Sequence, residues 1–142
     1  MKLNNQKLRN DLDAIMEKGL NRVHMPYAKG KSVRIRNTVI RETKQGFLVF
    51  DVKTHKRIGE FFSKRGAIAY AKAREKSNNV ACIDIANLDN MLCKHYMDSL
   101  FFKNTIEKTT DSVRREATEI RFEISKDKTY DLIAQIDRYI FD

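Results

Sequence analysis

Tryptophan is absent from this 142-residue chain, proline occurs once, cysteine twice and glycine five times. The five glycines, Gly19, Gly30, Gly46, Gly59 and Gly66, are scattered. Neither a Walker-type phosphate loop nor a dinucleotide fingerprint can be assembled from them. No Cys-x-x-Cys or His-x-x-x-His spacing occurs among Cys82, Cys93, His24, His55 and His95, so the ligand clusters of a zinc site are missing. The six serines lie outside any nucleophile-elbow motif. No apolar run approaches the roughly 20 residues of a membrane span. The opening Met1-Lys2-Leu3-Asn4-Asn5-Gln6 lacks the apolar core of a signal peptide. These absences lead to the expectation of a non-enzymatic cytoplasmic protein with no catalytic residues, metal, cofactor, small-molecule ligand or membrane partner.

Cys82 and Cys93 fall in one expected helix. Eleven residues put them on one face but about 16 Å apart along the axis. A disulfide needs Cα atoms within about 7 Å, so the two are expected to be reduced and unpaired with each other.

A third of the residues are charged and 42% are hydrophobic, enough apolar material for a core beneath a strongly solvated surface. The net charge of +9 is unevenly placed. Residues 1–77 hold nineteen Lys and Arg against seven Asp and Glu, whereas residues 78–142 hold nine against twelve. A basic half of this kind points to a polyanion-facing region, the alternative being an ordinary solvated surface.

Hydrophobic periodicity divides the chain further. Leu8, Leu12, Ile15, Met16, Leu20 and Val23 trace one face of a helix over 3–23. Residues 32–62 change to β-type patterning. Three antiparallel strands are expected at about 32–43, 47–53 and 57–62, with turns at Lys44-Gln45-Gly46 and Asp51–Lys56. Alternation breaks at Asn37-Thr38, where a bulge would reconcile the two halves of the first strand. Ser63 is placed to cap a helix over 64–77, with Ala67, Ile68, Ala71 and Tyr70 as its packing side. Two long helices follow. Leu88, Leu92, His95, Ser99, Phe102 and Ile106 line one side of the first, which is expected to run over 80–105. Val113, Ala117, Ile120 and Ile124 are the expected packing stripe of the second. Ser125–Lys128 interrupts that pattern, so a kink or a third helix is expected there.

Glu116, Glu119, Glu123 and Asp127 share one helical stripe. Carboxylates so placed can perform acid–base work. Without a Glu-x-x-His pair, and with Arg115 placed to pair with Glu119, they read as a solvated face. The basic meander carries more content. Arg34 and Arg36 alternate with Val33 and Ile35, which would put both arginines on one strand face. A β-ribbon presenting arginines can enter a major groove. Arg34, Arg36 and Arg41 are the expected nucleic-acid-reading residues, with Lys53, Lys56, Arg57 and Lys64 as phosphate contacts. In the first long helix Met97, Leu100 and Phe101 extend an apolar surface beyond what one face can bury. They mark the expected interface for a protein partner or self-association.

The segments Lys31-Ser32-Val33-Arg34-Ile35-Arg36-Asn37, Gly46-Phe47-Leu48-Val49-Phe50-Asp51 and Phe61-Phe62-Ser63-Lys64 resemble a family of small uncharacterised proteins of marine tailed bacteriophages. The similarity extends over most of the chain and implies a phage origin, with the host cytoplasm as location, but no mechanism. The meander running into Ala67-Ile68-Ala69-Tyr70-Ala71 is also similar to AP2-type domains and phage integrase arm-binding domains, which read DNA with the sheet. This chain differs from them in lacking tryptophan and in placing the meander between helices.

The sequence therefore predicts an α+β fold: an N-terminal helix, a three-stranded antiparallel meander with a covering helix, then a helical hairpin or bundle. Residues 1–77 form a basic α+β region and 78–142 a helical region, packed as one unit. Two functions remain open: DNA binding through the basic sheet, and a phage structural or assembly role exercised through the C-terminal helices.

Overall fold

The computed structural model describes residues 32–44 and 46–141. The N-terminal helix expected over 3–23 lies outside the described residues. Within them the fold is α+β. Strands β1 (Ser32–Ile35), β2 (Thr38–Glu42), β3 (Phe47–Asp51) and β4 (Arg57–Phe61) precede helices α1 (Lys64–Glu75), α2 (Asn79–Lys108) and α3 (Ser112–Phe141).

The sheet has four strands in the order β1-β2-β3-β4, all neighbours antiparallel, not three. The expected first strand is a hairpin. Ile35 pairs with Thr38 across the two-residue turn Arg36-Asn37, and Val33 with Ile40. A two-residue turn shifts inward-facing positions from odd to even numbers. The broken alternation at Asn37-Thr38 is therefore the mark of a hairpin and not of a bulge. Arg36 carries the positive φ, 50°, that tight hairpin turns require. The irregularity in the sheet lies elsewhere, between β3 and β4. There Val49 faces Gly59 but Phe50 faces Arg57, leaving Ile58 as the extra residue.

Ile40, Phe47, Val49 and Phe61 face inward and are buried. Helix α1 covers them and is itself covered on its far side by α2 and α3. Its alanines show why. Ala67 and Ala71 lie on one side, Ala69 and Ala73 about 200° round the helix at 100° per residue, and all four are buried. The expected packing side accounted for the first pair only. A helix pressed between two layers needs small residues on both faces.

Both ends of α1 are fixed by specific polar contacts. At the start the Ser63 hydroxyl accepts from the Gly66 amide at 3.0 Å, the cap read from the sequence. The buried carboxylate of Asp89, from α2, accepts from the Phe62 amide at 2.7 Å, the Ser63 amide at 3.1 Å and the Ser63 hydroxyl at 2.7 Å. A Cβ on Gly66 would meet Asp89 Oδ1 at 2.6 Å. At the other end Ser77 adopts φ 56°, and the Asn78 amide donates to the Ala73 carbonyl at 2.9 Å. Asn78 then caps α2 by accepting from the Ala81 amide.

Helices α2 and α3 each run for 30 residues, about 45 Å at 1.5 Å per residue. The short connection 109–111 makes them an antiparallel hairpin. Leu88, Leu92, Ser99 and Ile106 are buried as the spacing predicts, while His95 and Phe102 are half-buried. Helix α3 is continuous through Ser125–Lys128. Its orientation differs from expectation. Glu119, Phe122, Ser125 and Thr129 face the interior, while Val113, Ile120 and Ile124 are exposed. The interior side of this half is thus mostly polar. The Thr129 hydroxyl satisfies itself on the Ser125 carbonyl at 2.8 Å, a common arrangement for a hydroxyl inside a helix. Neither Cys82 nor Cys93 is in a disulfide.

Replacing Asp89 with Ala would strand two backbone amides and the Ser63 hydroxyl. The expected loss is about 2–4 kcal/mol of folding stability, read by urea unfolding. Gly66→Ala should destabilise in the same direction, because its new Cβ meets the same carboxylate.

Candidate nucleic-acid interface

The sheet face turned away from α1 is built by strand parity. Ile40, Phe47 and Val49 point inward, so Val39, Arg41, Leu48 and Phe50 point out. Pairing then sets Arg34, Val39, Phe50 and Arg57 in one row across all four strands. The row has an apolar centre and a cation at each end. Arg41 comes from the next row, and its guanidinium stands 5.8 Å from the centre of the Phe50 ring, within cation–π range. Arg34, Val39, Arg41 and Phe50, together with Asp51, Val52 and His55, line a cleft of about 330 Å³.

Among the expected nucleic-acid residues, the structure brings Arg34, Arg41 and Arg57 to this face. It does not place Arg36 beside Arg34. Arg36 occupies the β1–β2 turn, and its carbonyl accepts from Arg34 Nε at 2.7 Å. The two arginines therefore do not share a strand face, because the chain reverses between them. Lys53 and Lys56 are exposed in the β3–β4 turn, at the same end of the sheet as Arg36. Lys64 starts α1 at the opposite end. Arg57 is held by Glu60 at 2.5 Å. Among the described residues, Arg34, Arg36, Arg41, Lys53, Lys56 and Lys64 are in no ion pair.

A polar cluster under the turn end of the sheet fixes this geometry. Asp51 accepts from Arg74 Nη2 at 2.6 Å and from the Thr54 amide and hydroxyl at 2.9 and 2.8 Å. Glu75 accepts from the Asn37 amide at 3.1 Å and the Thr38 hydroxyl at 2.9 Å. Arg74 also donates to the Thr38 hydroxyl at 2.9 Å. The last turn of α1 thus grips both turns that carry Arg36, Lys53 and Lys56. No local sequence signal marks this cluster, since its members are far apart along the chain. Phe50 was also missed, although parity with Phe47 and Val49 places it on the outer face.

Other candidates resolve differently. Met97 and Phe101 are exposed, but Leu100 is half-buried against the core. In the carboxylate stripe, Glu116 and Asp127 are solvated as expected. Glu119 is only 3% exposed and pairs with Arg115 at 3.2 Å. It is turned inward because the apolar stripe of α3 is turned out. Among the described residues no group of three or more His, Cys, Asp or Glu side chains gathers to hold a metal ion. No described helix is long and apolar enough to cross a membrane. Comparison with protein families, curated proteins and solved structures finds no match.

The Arg74 guanidinium, helped by the Thr54 hydroxyl and amide, lowers the Asp51 carboxyl from 3.8 to about 2. A carboxyl depressed in the folded state stabilises it above its unfolded value and withdraws that support as pH falls through the folded value. Stability from Asp51 should therefore be complete above about pH 4 and be lost progressively toward pH 2. Thermal melts across that range should show a steeper decline for the natural chain than for Asp51→Asn.

Proposed function

We propose that this protein binds nucleic acid non-enzymatically through the outer face of its sheet, preferring single strands. The observation that carries this reading is the Arg34–Val39–Phe50–Arg57 row with Arg41 over the Phe50 ring. A half-buried aromatic among arginines suits an unpaired base, which can stack on the ring while guanidinium groups take the flanking phosphates. A regular duplex keeps its bases stacked on each other and offers no face to Phe50. Arg36, Lys53 and Lys56 extend the positive surface along the turn end, where a phosphate backbone would continue. Lys64, at the far end of the sheet, is a peripheral contact on this reading.

A second reading is supported by Met97 and Phe101, which stand exposed four residues apart on α2. They favour a protein partner, as a phage assembly factor would need. It leaves the basic sheet without a role.

Fluorescence anisotropy with single-stranded and duplex oligonucleotides at two salt concentrations tests the proposal. Each phosphate contact on a single strand contributes about 0.7 to the slope of log affinity against log salt. Arg34→Ala with Arg41→Ala should thus flatten the slope by about 1.4 with folding intact, as both side chains are exposed. Phe50→Ala should cost about 1–3 kcal/mol of binding, the range for a lost base–aromatic stack, with little change in slope. Val49→Ala, at a fully buried position, should instead lower stability by about 1–3 kcal/mol. No binding to any oligonucleotide at low salt would sink the proposal. Tighter binding to duplex would remove the stacking role of Phe50.

A further inference from the structure

We propose that a second copy of this chain pairs with α3 along Val113, Ala117, Ile120 and Ile124, as a parallel, in-register two-stranded helix. The four residues recur at spacings of four, three and four, the seam of a coiled coil. Their side chains turn away from the interior. Val113 is 75% exposed, Ile120 58% and Ile124 50%, while Phe122 and Thr129 on the opposite side are fully buried. A β-branched stripe of this kind in water calls for a cover.

The residues beside the seam name the occupant. In coiled-coil lettering, with Val113 and Ile120 at d and Ala117 and Ile124 at a, the g positions are Glu116 and Glu123. The e positions are Arg114, Arg121 and Lys128. One flank is acidic and the other basic. In a parallel pair each g residue faces the e residue five positions further on in the other copy. Glu116 then meets Arg121 of the second copy, twice by symmetry. Neither residue is in an ion pair among the described residues. Glu123 would meet Lys128, although Lys126 already holds it at 2.8 Å. An antiparallel pair would set glutamate against glutamate and arginine against arginine. The sequence of flanking charges therefore selects self-pairing in one direction.

The same lettering limits the contact. The next seam positions are Asp127 and Asp131, which would face their own copies as like charges and end the pairing. Two heptads bury less than the roughly 1,200–2,000 Å² of a standard stable interface, so the dimer is concentration-dependent. Helix α1 does not obstruct it. Arg65 meets Asp137 at 2.6 Å and Lys72 meets the Ile140 carbonyl at 3.2 Å, so α1 lies against the far end of α3. Both copies consequently carry their sheets toward one end of the pair.

Sedimentation equilibrium of the full chain, up to about 1 mM, should show mass rising from 16.6 kDa toward twice that value. Ile120→Glu should remain monomeric with an unchanged circular dichroism spectrum. Glu116→Arg alone and Arg121→Glu alone should each weaken the dimer, and the two together should restore it. Val113→Cys should form a disulfide-linked dimer under mild oxidation that the natural chain does not. Three results would overturn the proposal: a monomer throughout, a dimer that survives Ile120→Glu, or a double charge exchange that fails to restore pairing. The second would move the contact to another surface, Met97 and Phe101 among the candidates. The third would contradict the parallel direction.

Discussion

The carboxylate of Asp89 joins three elements at one point: the end of β4 through the Phe62 amide, the cap of α1 through Ser63, and α2, which carries it. A helix N-terminus leaves amides unpaired and a partial positive charge. Here the first turn holds no acidic residue of its own. Asp89 provides the missing charge from another element. It can do so only because Gly66 leaves the space, a Cβ there standing 2.6 Å from the carboxylate oxygen. Capping and packing of α1 are thereby a single interaction, and the spacing between sheet and hairpin follows from it.

With its start fixed, α1 acts as a thin layer. Four buried alanines on two faces keep the sheet close to the hairpin. Close approach packs the inner sheet face against α1, and the polar strand residues that face it, Thr38 and Asp51, are buried there with Arg74 as their partner. The turn end is then gripped from below by Arg74 and Glu75. Arg36 is displayed by a turn whose Asn37 amide is bonded to Glu75 of α1, and Lys53 and Lys56 by a turn held to Arg74 through the Asp51 carboxylate. The two turns are joined by the Val52 amide on the Asn37 carbonyl at 2.9 Å. A surface built this way presents cations from a hydrogen-bonded frame.

Local signals in the sequence were legible, and relations between distant residues were not. The Ser63 cap, the β character of 32–62 and the two long helices follow from periodicity and turn chemistry. The hairpin at Arg36-Asn37 was visible as a parity change but open to two interpretations. An arginine there carries none of the Asn-Gly or Gly signals that mark tight turns. Helix α3 misled for a different reason. Over its first half the apolar stripe and the inward face are on opposite sides, whereas Leu132, Ile133 and Ile136 further along are buried; periodicity reports where apolar residues cluster, not which cluster is covered. Of the candidate interface, Arg34 and Arg41 could be placed outward from alternation alone. The cross-strand row required the register, and the register depended on an irregularity at Ile58 that no residue type announced.

The uneven charge of the chain takes on a physical meaning in this arrangement. If the basic and acidic halves merely neutralised each other, the arginines of the sheet would be tied to carboxylates of α2 or α3. The described pair that joins those halves is Arg65 with Asp137, made by α1 and not by the sheet. Helix α1 stands between the outer sheet face and the acidic hairpin, and it removes Arg65 and Arg74 from the free charge by engaging them internally. The outer face keeps Arg34 and Arg41, with Glu60 as the carboxylate paired across from Leu48 and already committed to Arg57. Two unneutralised guanidinium groups on a partly apolar face hold a positive field in place. Repulsion between them is an energetic cost that an anion spanning both would relieve.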